Sequence, residues 1–201
     1  MDKPQPGSKS QNSRNELLDI AAKLFMEKGY TATTMRDIAA AANMKAASVY
    51  YHFDSKEQML QEVLDKGITK IFETTQRNMR QLSETASFQE RLELLLTSHM
   101  EALLKYGAYT SANVRNYGQV PAHVRDVHLP IRNQYDAYWM QFLEEAQANG
   151  DIRPDIHLTS LRLMLIGAMN WSLEWYEPGH KPIRDICREF ADVALQGMSP
   201  S

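Results

Sequence analysis

Residues 34–53 hold two short helical repeats that meet at Asn43-Met44, and few folds bend a chain so sharply between helices. Thr34 with Asp37 three residues on has capping-box spacing, and Ile38, Ala39 and Ala42 then give one apolar face for about two turns. Asn43 ends that run, because Asn tolerates the left-handed backbone that a tight turn between helices needs. From Lys45 to Phe53 the spacing is helical again. Val49 and Phe53 (i, i+4) point one way, and Lys45, Ser48, Tyr51 and His52 fall on other faces. This is the layout of a helix-turn-helix, whose second helix enters a DNA groove.

Upstream, Leu17, Ile20, Ala21, Leu24 and Phe25 share a face at i, i+3, i+4, i+7 and i+8, and Gly29 supplies the usual C-terminal stop. Three helices therefore enclose one small core. The segment 15–53 resembles the N-terminal domain of the tetracycline-repressor (TetR) family. The resemblance is carried by Ala22, Leu24-Phe25, Gly29-Tyr30, Thr33-Thr34, Asp37-Ile38-Ala39, Tyr50-Tyr51-His52-Phe53, Ser55-Lys56 and Leu60. It implies that Thr33, Thr34 and Arg36 approach the DNA backbone or a groove edge, and that Tyr50, His52 and Lys56 hold phosphate oxygens. Base reading then falls to Lys45, Ala46, Ala47, Ser48 and Tyr51, with Lys45 suited to guanine and the alanine methyls to thymine methyls. Two residues depart from the family pattern: Asn43 stands where the turn usually has Gly, and Ala47 where Gly or another small residue is usual. The alternative is a helical bundle that binds no nucleic acid. Against it, packing alone does not require Tyr-x-His-Phe followed by Ser-Lys.

A chain of 201 residues is long enough for such a head and one larger helical domain. The boundaries read from the sequence are a disordered tail at 1–12, the head at 13–56 and a helical body at 57–201. Net charge is −3, but residues 1–56 hold eight Lys/Arg against six Asp/Glu, and the remainder fourteen against nineteen. The head is mildly basic and the body acidic, so affinity for DNA would rest on a few placed phosphate contacts and on pairing of two heads. Lys3, Lys9 and Arg14 are open to two readings, a solvated tail or minor-groove contacts. One cysteine, Cys187, excludes an intramolecular disulfide. No leader-like apolar run opens the chain and none approaches the roughly 18–20 residues that span a bilayer, so a cytoplasmic protein with no membrane partner is expected.

The body reads as helix almost throughout, so the fold class expected is all-α. Ser55 with Gln58 opens a long helix with Leu60, Val63, Leu64, Gly67, Ile68, Ile71 and Phe72 on one stripe. A second capping box, Ser87 to Glu90, opens a helix with Leu92, Leu95, Leu96, His99, Leu103 and Tyr106 on a face. Pro130 either kinks the next helix or divides it, and beyond it Ile131, Tyr135, Tyr138, Trp139, Phe142 and Ala146 form an aromatic face. Residues 158–176 are apolar nearly all round, and Ile183, Ile186, Cys187, Phe190, Ala191 and Ala194 make a last amphipathic helix. A helix apolar on every side must be covered on every side. The alternative is a simply buried central helix, but a helix-turn-helix needs a two-fold partner, so one face is expected on the body and another, near Gly167 and Ala168, on a second subunit, which makes a homodimer.

Residues 146–155 and 167–179 look like one branch of the TetR family, through Gly150-Asp151-Ile152-Arg153-Pro154 and Asn170-Trp171-x-x-x-Trp175-Tyr176. The branch implies response to acyl-coenzyme A thioesters and control of lipid, sterol or branched-acid catabolism. The turn after Pro178 is shortened to Gly179-His180-Lys181-Pro182, which puts its contacts in doubt. Candidate effector contacts are His99, Met100, Leu103, Met140, Met164, Trp171 and Trp175; core packing is the competing reading for His99 and the methionines, and the dimer seam for Trp171 and Trp175. Arg115, Arg125, His128, Arg132 and Arg162 are cations available for coenzyme A phosphates, or simply solvated.

Enzyme chemistry is not expected. There is no Gly-rich phosphate loop, no Gly-x-Ser-x-Gly elbow and no His-Glu-x-x-His, and His123 and His128 are five apart rather than the four that align two ligands on a helix face. No cofactor and no metal follow. What does follow is a ligand-responsive repressor that binds a palindromic operator as a dimer and is released by a small apolar or acyl-CoA effector. A regulator of an efflux pump that senses lipophilic toxic compounds, and a helical adaptor for protein partners, are the competing readings.

Overall fold

Every element of the structure, a computed structural model that describes residues 6–115 and 117–198, is helical. The first helix, α1 (Pro6–Lys28), ends where Gly29 takes φ +82° and donates its N–H to the Phe25 carbonyl at 3.1 Å. Residues 6–12 belong to this helix, so the disordered tail expected over 1–12 is not seen there; 1–5 lie outside the described residues. Proline is at home at a first helical position, where no N–H is needed, and the apolar stripe further along secures the helix.

Helix α2 (Met35–Ala41) opens on the anticipated capping box: Thr34 Oγ1 accepts from the Asp37 N–H at 3.1 Å while Asp37 accepts from the Thr34 N–H at 2.8 Å. The turn that follows places Asn43 at φ +54°, the left-handed region the sequence called for. Helix α3 (Ala46–His52) then buries Val49 completely, and Phe53 beyond its end is 1% exposed. The remaining elements are α4 (Lys56–Met79), α5 (Phe88–Lys105), α6 (Gly107–Val114), a 3-10 turn at Tyr117–Gln119, α7 (Ala122–Ala148), α8 (Leu158–Asn170), α9 (Ser172–Trp175) and α10 (Ile183–Met198). Pro130 sits inside α7 without ending it. The apolar run 158–176 is one helix and a short second one, parted at Trp171.

These elements form two compact units, one of residues 1–67 and 108–130, the other of 68–107 and 131–201. The chain passes between them at Gly67, Gly107 and Pro130, three residues that weaken a helix. The head's unit thus reaches beyond residue 56 and takes in α6. Its core joins Leu17, Phe25, Ile38, Val49, Phe53, Leu60 and Leu64 to Tyr109, Ala112, Val120 and Val124. Each such Leu, Ile, Val or Phe contributes about 1.5–3 kcal/mol on full burial. In the second unit α5 and α10 pack side by side, with Leu92, Leu95, Leu96, Met100 and Leu103 buried on α5 and Ile186, Cys187, Ala191 and Ala194 buried on α10. Burial pushes the Cys187 thiol up to about 11, so it stays protonated and inert.

Candidate functional site

With Val49 and Phe53 holding α3 inward, its other faces are free. Lys45, Ala47, Ser48, Tyr50 and Tyr51 are exposed, Tyr51 at 79%, and Ala46 is half-buried. His52 lies edge-on to the Tyr51 ring at 5.0 Å. Thr34 and Arg36, at the start of α2, are also exposed. Nine of the residues expected at a nucleic-acid interface are therefore brought to the surface of α2 and α3, His52 and Ala46 only partly.

Two others are placed differently. Thr33 is fully buried, its hydroxyl donating to the Gly29 carbonyl at 2.9 Å with the Leu24 carbonyl at 3.3 Å. Lys56 turns its ammonium inward to the Tyr30 and Thr33 carbonyls at 3.0 and 2.8 Å, 4.2 Å from the Tyr30 ring centre. Both pin the loop that leads into α2, and neither side chain lies open to a phosphate. Arg14 is likewise engaged, with Glu62 at 2.5 Å and over the Phe53 ring at 4.4 Å. Lys3 lies outside the described residues.

Lys56→Ala is expected to lower the head's stability by about 1–3 kcal/mol, the scale of a hydrogen bond to a charged group. The salt slope of DNA binding should be unchanged. A slope reduced by about one with an unmoved thermal transition would make Lys56 a phosphate clamp instead.

In the second unit, α4, α5, α7 and α8 contribute a buried polar chain. His99 is 2% exposed; its Nδ1 lies 2.7 Å from the Tyr135 hydroxyl and its Nε2 3.2 Å from Asn170 Oδ1. Thr75 Oγ1 meets the same tyrosine oxygen at 3.5 Å. An amide oxygen only accepts, so Nε2 carries the proton and Nδ1 accepts from Tyr135. Burial lowers His99 to about 4, which keeps this ring neutral at physiological pH. The His99 ring also stacks on Tyr135 and meets Trp139 edge-on.

The other candidate effector contacts are scattered. Met100 and Leu103 are buried on α5 and Met140 is half-buried on α7, whereas Met164 and Trp171 are 57% and 65% exposed and Trp175 is 40% exposed. Of the candidate phosphate-binding cations, His128 pairs with Asp65 at 2.7 Å and Arg162 with Asp136 at 2.5 Å. Sequence reasoning did not foresee that Thr75, Tyr135, Trp139 and Asn170 join His99. The available signal was weak, because Asn170 and Ser172 are polar residues in a largely apolar run that also holds Thr159, Ser160, Arg162 and Glu174.

A cleft of about 500 Å3 opens in the second unit, lined by Met79, Arg80, Arg91, Tyr138, Phe142 and Glu145 among others. A second hollow, about 650 Å3 and almost wholly apolar, runs between α8 and α10 past Leu161, Met164, Leu165, Ala168, Phe190 and Val193.

An exposed, polar second helix on a three-helix head, followed by an all-helical body, defines a helix-turn-helix regulator. The chain belongs to the TetR family. Residues 17–63 match the family described as bacterial regulatory proteins, tetR family, and residues 85–198 match the tetracyclin repressor-like C-terminal domain. The HTH-type transcriptional repressor KstR2 of Rhodococcus jostii (strain RHA1) is 31% identical over 189 residues, 92% of this chain and 91% of that one. The structure of the ketosteroid transcriptional regulator KstR2 of Mycobacterium tuberculosis is 27% identical with a TM-score of 0.75, over 94% of this chain and 95% of that one. AibR in complex with isovaleryl coenzyme A and operator DNA shares the fold, with a TM-score of 0.77 at 22% identity over 94% and 98% of the two chains.

Proposed function

We propose that this chain is a ligand-responsive repressor that binds a palindromic operator as a homodimer in the cytoplasm. The observation that carries the dimer is the outer face of α8 and α10. Leu163, Met164 and Trp171 are 59%, 57% and 65% exposed and Val193 72%, around the apolar hollow that contains Ala168. Contiguous exposed apolar surface of this kind marks an association site, and α8, which buries only Leu161, Leu165 and Met169 on its own body, has a second face to cover. Two heads brought together then read two half-sites, with Lys45, Ala46, Ala47, Ser48 and Tyr51 toward base edges and Thr34, Arg36, Tyr50 and His52 toward phosphates.

The effector is an acyl-coenzyme A thioester with a medium, long or ring-bearing acyl group. The names of the relatives support this: AibR is described with isovaleryl coenzyme A, and KstR2 as a ketosteroid regulator. The cleft edged by Arg80 and Arg91 offers guanidinium groups that suit phosphates, with Met79, Tyr138 and Phe142 as an apolar wall. The ligand must favour the DNA-incompetent arrangement of the dimer, since equal affinity for both would shift nothing.

Fluorescence anisotropy of labelled operator tests the reading. Octanoyl-CoA should dissociate the complex, while octanoate and free coenzyme A at equal concentration should not. Release by the free acid alone, or by lipophilic cations with no response to any thioester, would transfer the chain to the efflux-pump regulators. An absence of sequence-specific DNA affinity would leave a helical adaptor.

A further inference from the structure

The helix faces that line the cleft continue inward onto the buried polar chain. Tyr138 and Phe142 on α7 lie three residues after Tyr135 and Trp139, and Met79 on α4 lies four after Thr75, so each pair shares a face. Phe72 joins the two layers, with ring centroids 5.4 Å from Tyr135 and 5.5 Å from Tyr138. The directional chain from Thr75 through Tyr135 and His99 to Asn170 satisfies its own members.

Two uncharged side-chain donors of the same unit are left over. Trp139 is fully buried, its ring edge-on to His99 at 6.3 Å and to Tyr135 at 6.5 Å, and its Nε1 has no hydrogen-bond partner among the described residues. Ser172, fully buried at the start of α9 and two residues past Asn170, leaves its Oγ equally unpartnered there. The Tyr135 oxygen is the polar neighbour of the Trp139 N–H, without hydrogen-bond geometry, which places the donor at the hub of the chain. A buried donor without a partner is a net cost to the fold, which a phenylalanine at 139 or an alanine at 172 would avoid.

We propose that Trp139 Nε1 and Ser172 Oγ are reserved for neutral oxygen acceptors on the effector, so that the body selects a carbonyl-bearing ligand over a hydrocarbon of the same shape. This rests on the reading of the body as effector-binding. A carbonyl oxygen has two lone pairs and no charge to desolvate. A carboxylate would need a cation, and Thr75, Tyr135, His99, Asn170, Trp139 and Ser172 provide none. The acceptor would lie behind the aromatic wall of the cleft, with any phosphorylated part of the ligand left toward Arg80 and Arg91.

Two probe pairs, each differing by one carbonyl oxygen, test the assignment: octanoyl-CoA against S-octyl-CoA, and 1-decalone against decalin. Trp139 is the one buried indole of three, Trp171 and Trp175 being exposed, and its 1H–15N resonance is assigned by its loss in Trp139→Phe. Octanoyl-CoA or 1-decalone should shift that resonance downfield, and the matching carbonyl-free compound should not. Trp139→Phe should raise the octanoyl-CoA concentration needed for operator release about tenfold, the scale of one neutral hydrogen bond in a buried site, with Ser172→Ala changing it in the same direction. No shift with either carbonyl probe, equal shifts within both pairs, or release unchanged in both variants would overturn the proposal. Release from DNA without an indole shift would remove the carbonyl site and leave the repressor reading. An indole shift without release would keep the site and remove that reading.

Discussion

Ala168→Glu is expected to give a monomer that keeps its helicity and loses its operator. Ala168 lies exposed on α8 in the single chain, so glutamate, a good helix former, replaces it there without a clash. In a two-fold dimer sealed along α8 and α10 the same position would be covered by apolar side chains such as Met164, Phe190 and Val193. Each carboxylate left buried and unpaired would cost about 3–5 kcal/mol, and symmetry doubles the penalty. At about 1.4 kcal/mol per tenfold, dimerisation weakens by several orders of magnitude. Sedimentation velocity should show one 23.0 kDa species with a wild-type far-ultraviolet spectrum. A variant that sediments as a dimer would move the two-fold contact to another face.

The head was legible because its signals are local. Thr34 and Asp37 close a capping box between neighbours in sequence, Asn43 takes φ +54° for reasons of its own side chain, and Gly29 stops α1 at φ +82°. None of these depends on what packs nearby. The roles of Thr33 and Lys56 were not legible, because both depend on the path of the loop between α1 and α2. Thr33 becomes a buried donor to the Gly29 carbonyl, and Lys56 reaches back to the carbonyls of Tyr30 and Thr33. A motif shows which residues stand near an interface; only the folded loop shows which way their side chains turn.

In the body the helices were legible from their periodicity, but the partners across them were not. His99 sits in an apolar stripe on α5 whatever lies opposite, and nothing in that stripe foretells Tyr135, thirty-six residues on, or Asn170, seventy-one residues on. The exposed position of Met164 and Trp171 shows the same limit. An apolar residue on a helix that is apolar all round can line a cavity, a core or an outer seam, and periodicity does not distinguish them. The division of the chain was also hidden, because α4 and α7 run unbroken through the points where the two units part.

Gly67→Ala is expected to destabilise the head's unit, although alanine is favoured by about 1 kcal/mol inside a helix. A Cβ at Gly67 would stand 2.7 Å from Asn113 Nδ2 and 2.8 Å from the Tyr109 carbonyl oxygen. The first contact can yield by rotation of the Asn113 side chain, at the loss of its 2.9 Å bond to the Leu64 carbonyl. The second cannot, because the oxygen belongs to the backbone of α6. That helix must move off α4, and with it the Tyr109 hydroxyl, which donates to Asp19 of α1 and lies 2.7 Å from the Lys66 ammonium. Overpacking of this kind costs about 1–3 kcal/mol beyond what helix propensity returns. Thermal unfolding should show the loss, and operator binding should weaken even without effector, since α1 and α4 are the supports of α2 and α3. The double variant with Asn113→Ala separates the two contacts. If the fixed carbonyl is the obstacle, removing the Asn113 side chain recovers little of the stability; recovery to that of Asn113→Ala alone would show that the movable amide was the whole conflict and that α6 does not need Gly67 beneath it.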